Sequence, residues 1–268
     1  TSGIFHNAPE FNGDLSKWAV PRVIYMNDTF HNVKTFNSDP SKWDVSSVTG
    51  MDVMFYNAAA FDADLSKWDV SRVKGMNLMF YNTAEFDADL SKWDVSRVKY
   101  MTRMFYNAAS FNQKLCGASW ILSKADKTNM FVGSSGSIKR KVCLPSPTQP
   151  TTQAASQHAL RRPRVPETTA SAVFMPRSKA ELQNAVEAYL KQSPQGDHSS
   201  KGAIGEWDVS RITDMNEMFE NAAAFNADLS IWGVSRVKSM IRMFARAKSF
   251  NGDLSKWDVS SVNNMADM

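Results

Sequence analysis

Residues 61–85 read FDADLSKWDVSRVKGMNLMFYNTAE, and Phe86 opens the same phrase again. Trp18, Trp43, Trp68 and Trp93 stand 25 residues apart, and so do Trp207, Trp232 and Trp257. Phe55, Phe80 and Phe105 keep the same step. A fixed period of this length marks a stacked repeat, in which each unit buries one apolar face against its neighbours. The 8 Trp and 15 Met are a consequence of the repeat, which makes these residues structural core rather than a cofactor box.

Two shorter periods alternate inside a unit. Phe61, Ala63 and Leu65 fall at every second residue, with Asp62, Asp64 and Ser66 between them, which predicts a short strand. Ser71 then precedes Val73, Met76, Met79 and Phe80, spaced by three to four residues. That spacing predicts a helix of two to three turns with Ser71 as its N-cap. Asn57, Asn82 and Asn107 follow, suited to a chain reversal because Asn tolerates left-handed backbone. Stacked strand–turn–short-helix units of this kind predict an α/β solenoid with parallel strands along one side.

The stretches FNGDLSKWDVSSVNNMADM, AEFDADLSKWDVSRVKYMTRMFYNAASFNQ and GEWDVSRITDMNEMFENAAAFNADLS resemble the BspA-like leucine-rich-repeat surface proteins. The particular branch is a 25-residue repeat of unknown function, first noted in mycoplasma surface lipoproteins and common in marine algae. The resemblance rests on Trp-Asp-Val-Ser and Met-x-x-Met-Phe and covers about three quarters of the chain. It implies a leucine-rich-repeat-like solenoid that is not an enzyme and is often exposed on a surface.

The array breaks in the middle of the 268 residues. Residues 1–143 form a first array whose last unit, about 111–143, is degenerate: Trp120 arrives two residues late and Met130 one. Such a unit reads as a cap on the open end of a stack. Cys116 and Cys143 bracket it without counterparts elsewhere and are predicted to form a disulfide, with two free buried thiols as the alternative. A bridge would place the chain in an oxidising compartment. Residues 144–172 are rich in Pro, Thr, Ser and Gln and predict a disordered linker. In 173–268, a helix over about 178–192 opens with the capping box Ser178–Glu181 and shields the first edge of a second array. That array enters at Trp207 and ends within a unit at Met268, so it holds about two and a half units. Independent stability takes about three. The sequence therefore reads as a fragment of a longer chain, its natural N-terminus missing, since it opens on Thr1.

Charge excludes little by itself. The net of +4 arises from residues 124–180, which carry ten Lys/Arg against two Asp/Glu, while the repeats are mildly acidic. No recognition helix or zinc spacing accompanies the basic clusters, so nucleic acid is not expected as a partner. No apolar run reaches the ~20 residues of a membrane span.

The residues that carry candidate chemistry also recur. Asp14, Asp39, Asp64 and Asp89 form one row, and Asp44, Asp69 and Asp94 a second. The second row is expected to accept backbone N–H bonds at the turn before the helix, with Ca2+ bound between the rows as the weaker alternative. Asn12, Asn37, Asn112, Asn226 and Asn251 predict a hydrogen-bonded ladder, with Asp62 and Asp87 as replacements. His6, His31, Tyr56, Tyr81 and Tyr106 are in phase, which predicts a ribbon of five rings and a candidate binding stripe. A zinc site at His6 and His31 is not expected, because no third ligand is apparent, and no cofactor is assigned. Asn27-Asp-Thr29 is a glycosylation sequon.

These features predict a non-enzymatic repeat scaffold, extracellular or on the cell surface, that binds or adheres to a protein or glycan. The alternative is an intracellular or structural protein-interaction scaffold without glycan recognition.

Overall fold

The computed structural model describes residues 3–142, 173–192 and 201–263. The expected linker, 144–172, lies wholly outside these residues, and so does Cys143. Every 25-residue unit lies directly on the next. Parallel single-residue bridges link Tyr25 to Gly50, Gly50 to Gly75, Gly75 to Tyr100 and Tyr100 to Asp126, and Asp214 to Ser239 in the second array.

The helix expected from Ser71 to Phe80, and its equivalents in the other described units, do not form. These stretches are successions of tight turns. Val53 and Asn57 have φ of 64° and 56°, and the same two positions are left-handed in the units of Leu78 and Asn82, Arg103 and Asn107, and Arg242 and Arg246. Left-handed residues four apart prevent a helix. The donors are instead divided between two directions. The N–H groups of Met51, Val53, Phe55 and Asn57 donate to the carbonyls of Gly75, Asn77, Met79 and Tyr81 in the next unit, at 2.8–3.0 Å. Those of Met54, Tyr56 and Ala58 donate three residues back within their own unit. Successive three-residue turns and a helix share an apolar spacing of three to four, which is why the sequence suggested the wrong one.

The strand expected at Phe61–Leu65 is likewise not a ladder strand. The segment is extended, with Phe61 and Leu65 buried and Asp62 and Asp64 exposed. Its link to the neighbouring unit runs through side chains: Asp62 N–H donates to Asn37 Oδ1 at 3.1 Å, and Asp87 N–H to Asp62 Oδ1 at 3.1 Å. In both corrections the local fold is set by what the adjacent layer accepts.

Aromatic columns fill the interior. Phe30, Phe55, Phe80 and Phe105 stack at 5.4–5.6 Å between centroids with nearly parallel rings. A second column, Phe36, Phe61, Phe86 and Phe111, runs beside it at 5.7–6.0 Å. The two columns touch within each unit, as in Phe55–Phe61 at 4.0 Å. The tryptophans form a third column and are all buried. Within the stack the indole N–H donates to a carbonyl one layer earlier, Trp43 to Leu15, Trp68 to Pro40, Trp93 to Leu65 and Trp232 to Ile204, at 2.8–3.0 Å, while Trp207, in the opening layer, donates to Lys201 O at 3.1 Å. A buried polar atom is therefore satisfied at every layer.

Both ends of the stack are irregular. At one end β1 (Lys114–Leu115) pairs in parallel with β2 (Ser137–Ile138), and α1 (Ala118–Leu122) carries Trp120. The late tryptophan still fills its column, donating to Leu90 O at 2.8 Å. At the other end α2 (Lys179–Gln192) buries Leu182, Val186 and Tyr189. Tyr189 and Phe174 meet the Trp207 ring edge-on at 6.0 and 4.9 Å. Glu181 N–H donates to Ser178 Oγ at 3.1 Å, closing the first turn of α2.

The expected separation into two arrays holds in sequence only. The last described unit of the second array lies on the first unit of the first. Phe244 stacks on Phe5 at 5.9 Å and Phe250 on Phe11 at 5.9 Å. Phe244 N–H donates to Ile4 O at 2.9 Å and Arg246 N–H to His6 O at 2.7 Å. Trp18 Nε1–H donates to Leu254 O at 2.9 Å, and Asn12 N–H to Asn251 Oδ1 at 2.8 Å. Each bond repeats one made inside an array, such as Phe219 N–H to Met243 O at 2.8 Å. The stack thus runs from α2 through Trp207, Trp232 and Trp257, crosses this seam to Trp18, and ends at Trp120. The two and a half units of the second array need not be stable alone, because the first array completes them.

Candidate functional site

The ring ribbon exists, and its geometry limits what it can do. His6, His31, Tyr56, Tyr81 and Tyr106 follow one another at centroid distances of 4.5, 4.7, 4.7 and 4.9 Å. The three tyrosine rings are parallel to within 4° and 6°. Their faces are covered by each other, so ring edges and phenol hydroxyls are what the row offers to solvent. Face stacking of a sugar on Tyr56 or Tyr81 has no room. In the second array the same positions hold Glu220 and Ala245, and Glu220 instead pairs with Arg242 at 3.4 Å and Arg246 at 3.5 Å.

Beside the ribbon runs a ladder of left-handed asparagines. Asn57 Nδ2 donates to Asn32 Oδ1 at 2.7 Å and Asn82 Nδ2 to Asn57 Oδ1 at 2.9 Å, and Asn32 donates likewise to Asn7. The row of Asn226, Asn251, Asn12, Asn37, Asp62, Asp87 and Asn112 passes backbone N–H bonds from layer to layer and crosses the seam unbroken. These residues are bound to their own structure rather than presented to a ligand.

The aspartate rows are turn acceptors. Asp64 Oδ1 accepts Ser66 N–H at 2.9 Å, and Asp69 Oδ1 accepts Ser71 N–H at 3.0 Å, with equivalents along both rows. The Ser66 amide and hydroxyl hold the Asp64 carboxyl below its ordinary value. At Asp69 the Ser71 hydroxyl and then its amide do the same. Asp14, Asp208, Asp228, Asp253 and Asp258 are lowered in the same way. A lowered folded pKa stabilises the chain above the ordinary carboxylate range, and that stability is lost as pH falls through the folded values. Tm is therefore expected to fall as pH drops from about 5 towards 2. Asn at Asp64 and Asp69 keeps the acceptor and cannot titrate, so the double variant should show a shallower acid slope. Melting scans across this pH range check it, and an unchanged slope would count against the turn role. Added Ca2+ is expected to leave Tm unchanged, and a rise would restore the calcium reading.

The sequon is not displayed. Thr29 is 1% exposed and its hydroxyl donates to Met26 O at 2.7 Å, while Asn27 Oδ1 accepts Asp52 N–H at 3.0 Å. Asn27 is thus a ladder residue in the folded chain. Cys116 is disulfide-bonded.

The structure supplies one residue that sequence reasoning missed. Asp28 lies against both histidines of the ribbon, and a donor atom from each of His6, Asp28 and His31 comes within 4.8 Å of the others. His31 Nδ1–H donates to Asp28 Oδ1 at 3.0 Å. Burial, and then the neighbouring His31, push the His6 imidazole down to about 4, so it is neutral at ordinary pH. A signal existed in the sequence, because a residue three positions before a ring lies under it when the turns span three residues. Val53, Leu78 and Arg103 occupy that place in the next three layers and have no ligating chemistry of this kind, while the second array holds Glu217 there without a histidine beside it in the sequence frame.

A second feature lies at the capped end. Lys74, Arg97, Lys99 and Lys124 surround a groove of about 710 Å3 beside exposed Leu122. It concentrates positive potential over an apolar floor.

The family described as "Mycoplasma protein of unknown function, DUF285" matches residues 1–76, 40–142 and 188–268. The chain belongs to this family, and the three overlapping or successive matches reflect its repeats. Searches of curated proteins and of solved structures returned no match. Among the described residues no helix is long and apolar enough to cross a membrane.

Proposed function

We propose that this member of the repeat family is a non-enzymatic binding scaffold of the BspA-like, leucine-rich-repeat-like solenoid type, displayed on a cell surface or outside the cell. Its ligand-facing row is Tyr56, Tyr81 and Tyr106, and its ligand is a protein. The observation that carries this reading is the stacking of the three phenols at 4.7 and 4.9 Å. Their shared faces leave a line of hydroxyls and ring edges at about the spacing of neighbouring β-strands. Such a line suits repeated hydrogen bonds and edge contacts along a protein partner, where many weak contacts add through multivalency. The oxidising setting rests on the bonded Cys116, with Cys143 as its proposed partner.

The test separates hydroxyls from rings. The triple variant Tyr56→Phe/Tyr81→Phe/Tyr106→Phe keeps the stack, and its Tm is expected within a few degrees of the parent. Tyr→Ala at all three removes two stacked pairs, each worth about 0.5–1.5 kcal/mol. Both are compared with the parent in pull-downs from surface extracts read by mass spectrometry, beside a glycan array run with and without calcium. The expected result is a protein partner captured by the parent and lost by the Phe triple. Sugar binding that survives the Phe triple and disappears in the Ala triple would contradict the protein reading.

A further inference from the structure

We infer that His6, Asp28 and His31 form a site for one divalent transition-metal ion, with Zn2+ the best-fitting occupant. One donor atom from each residue lies within 4.8 Å of the other two. Two imidazole nitrogens and a carboxylate oxygen are a recurrent set for Zn2+ and its neighbours, with a water completing the coordination. Bond lengths of about 2.0–2.2 Å put tetrahedral donors roughly 3.3–3.5 Å apart. Asp28 Oδ1 and His31 Nδ1, at 3.0 Å, are already near that separation. The remaining separations, within 4.8 Å, are closed by side-chain rotation of His6 and His31.

The second observation is His6 itself. It is 9% exposed, and its Nδ1 is buried with no hydrogen-bond partner. Buried polar atoms in folded proteins are nearly always satisfied, and an orphan calls for an explanation. The His31–Asp28 hydrogen bond accounts for two members of the cluster and leaves the third without one. A metal ion accounts for all three. The fold does not demand these residues: the ribbon position holds Tyr56, Tyr81 and Tyr106 in other layers, and the Asp28 position holds Val53, Leu78 and Arg103.

Position gives the site a role. His6 belongs to the first layer of the first array and His31 to the second, and the His6 carbonyl accepts Arg246 N–H across the seam at 2.7 Å. A bound ion would fasten these two layers beside the one junction in the stack that no continuous chain crosses. Arg246 brings positive charge towards His6 and opposes the ion to some degree, while Asp28 supplies the compensating carboxylate.

The full, untagged chain is stripped with a chelator and titrated with Co2+, whose visible d–d bands report the donor set, and Zn2+ is then used to displace it. His31→Tyr restores the side chain of the neighbouring layers, and Asp28→Asn keeps a residue tolerant of its φ of 57°. Both should fold with the metal-free Tm of the parent. The expected result is one Co2+ per chain, displaced by Zn2+, with a higher Tm in the loaded protein. Each variant should lose more than about 100-fold in affinity, beyond the usual cost of changing an outer-shell partner. No Co2+ band and no Zn2+-dependent shift in the parent overturns the proposal. So does binding that persists in both variants.

Discussion

Trp68→Ala is expected to collapse the middle of the stack. Trp68 is buried, its indole N–H donates to Pro40 O at 3.0 Å, and its ring lies against Trp43 at 6.5 Å and Phe55 at 6.4 Å. Large-to-small changes of a buried aromatic residue cost about 3–5 kcal/mol. The Pro40 carbonyl also loses its partner, which adds roughly 1–3 kcal/mol if water cannot reach it. A domain of this size has about 5–15 kcal/mol in total, so one side chain accounts for a large share. Repeats pass stability to their neighbours through their interfaces, and loss of one layer loosens those on either side. Thermal melting followed by far-UV CD should show a large drop in Tm or no folded baseline. Trp68→Phe, which keeps much of the packing and drops the N–H, should fall between the two. Unchanged melting of Trp68→Ala would remove the tryptophan column from the account.

Phe244→Ala should act at the seam. Phe244 is fully buried and touches Phe5, Phe219 and Phe250 at 5.9, 5.4 and 4.0 Å. The expected loss is again about 3–5 kcal/mol, but its consequence differs. Within an array each layer is covalently tied to the next, whereas Phe244 and Phe5 face each other across a junction held by packing and hydrogen bonds alone. Weakening it should split one melting transition into two. Hydrogen exchange should speed up through residues 207–263 well before residues 51–107 respond, because the shorter array has less of its own core. A single transition lowered uniformly, with exchange raised equally in both arrays, would show that the seam is not a distinct weak point.

The tryptophan and phenylalanine columns are legible in the sequence because a stacked repeat needs the same large side chain at the same place in every layer. The Asx turn of Asp69 is legible for a similar reason, since Asp two residues before Ser is a local pattern. The turn succession around Val53 is not. Met51, Met54 and Phe55 carry helical spacing, and nothing in Val, Leu or Arg at the left-handed position announces φ near 60°, which such residues rarely adopt. The cost of that backbone is offset by N–H bonds to the next layer, a partner 25 residues away that a local reading does not weigh. Asp28 was missed by the same route: its nearness to His6 depends on the turn geometry. The seam lay furthest from view. Asn12 and Asn251 are 239 residues apart, and only the shared repeat frame hints that the open ends of the two arrays expose matching apolar layers.

The most direct test of one continuous stack is to cut the chain. A specific protease site is inserted between residues 143 and 173, the folded protein is cleaved, and the product is run on size exclusion under native conditions. Two halves eluting together at the size of the intact 30.0 kDa chain, and separating once Phe244→Ala is introduced, is the result predicted by the seam from Phe244 to Phe5. Halves that separate at once in the parent would show that the arrays are independent, and would contradict it.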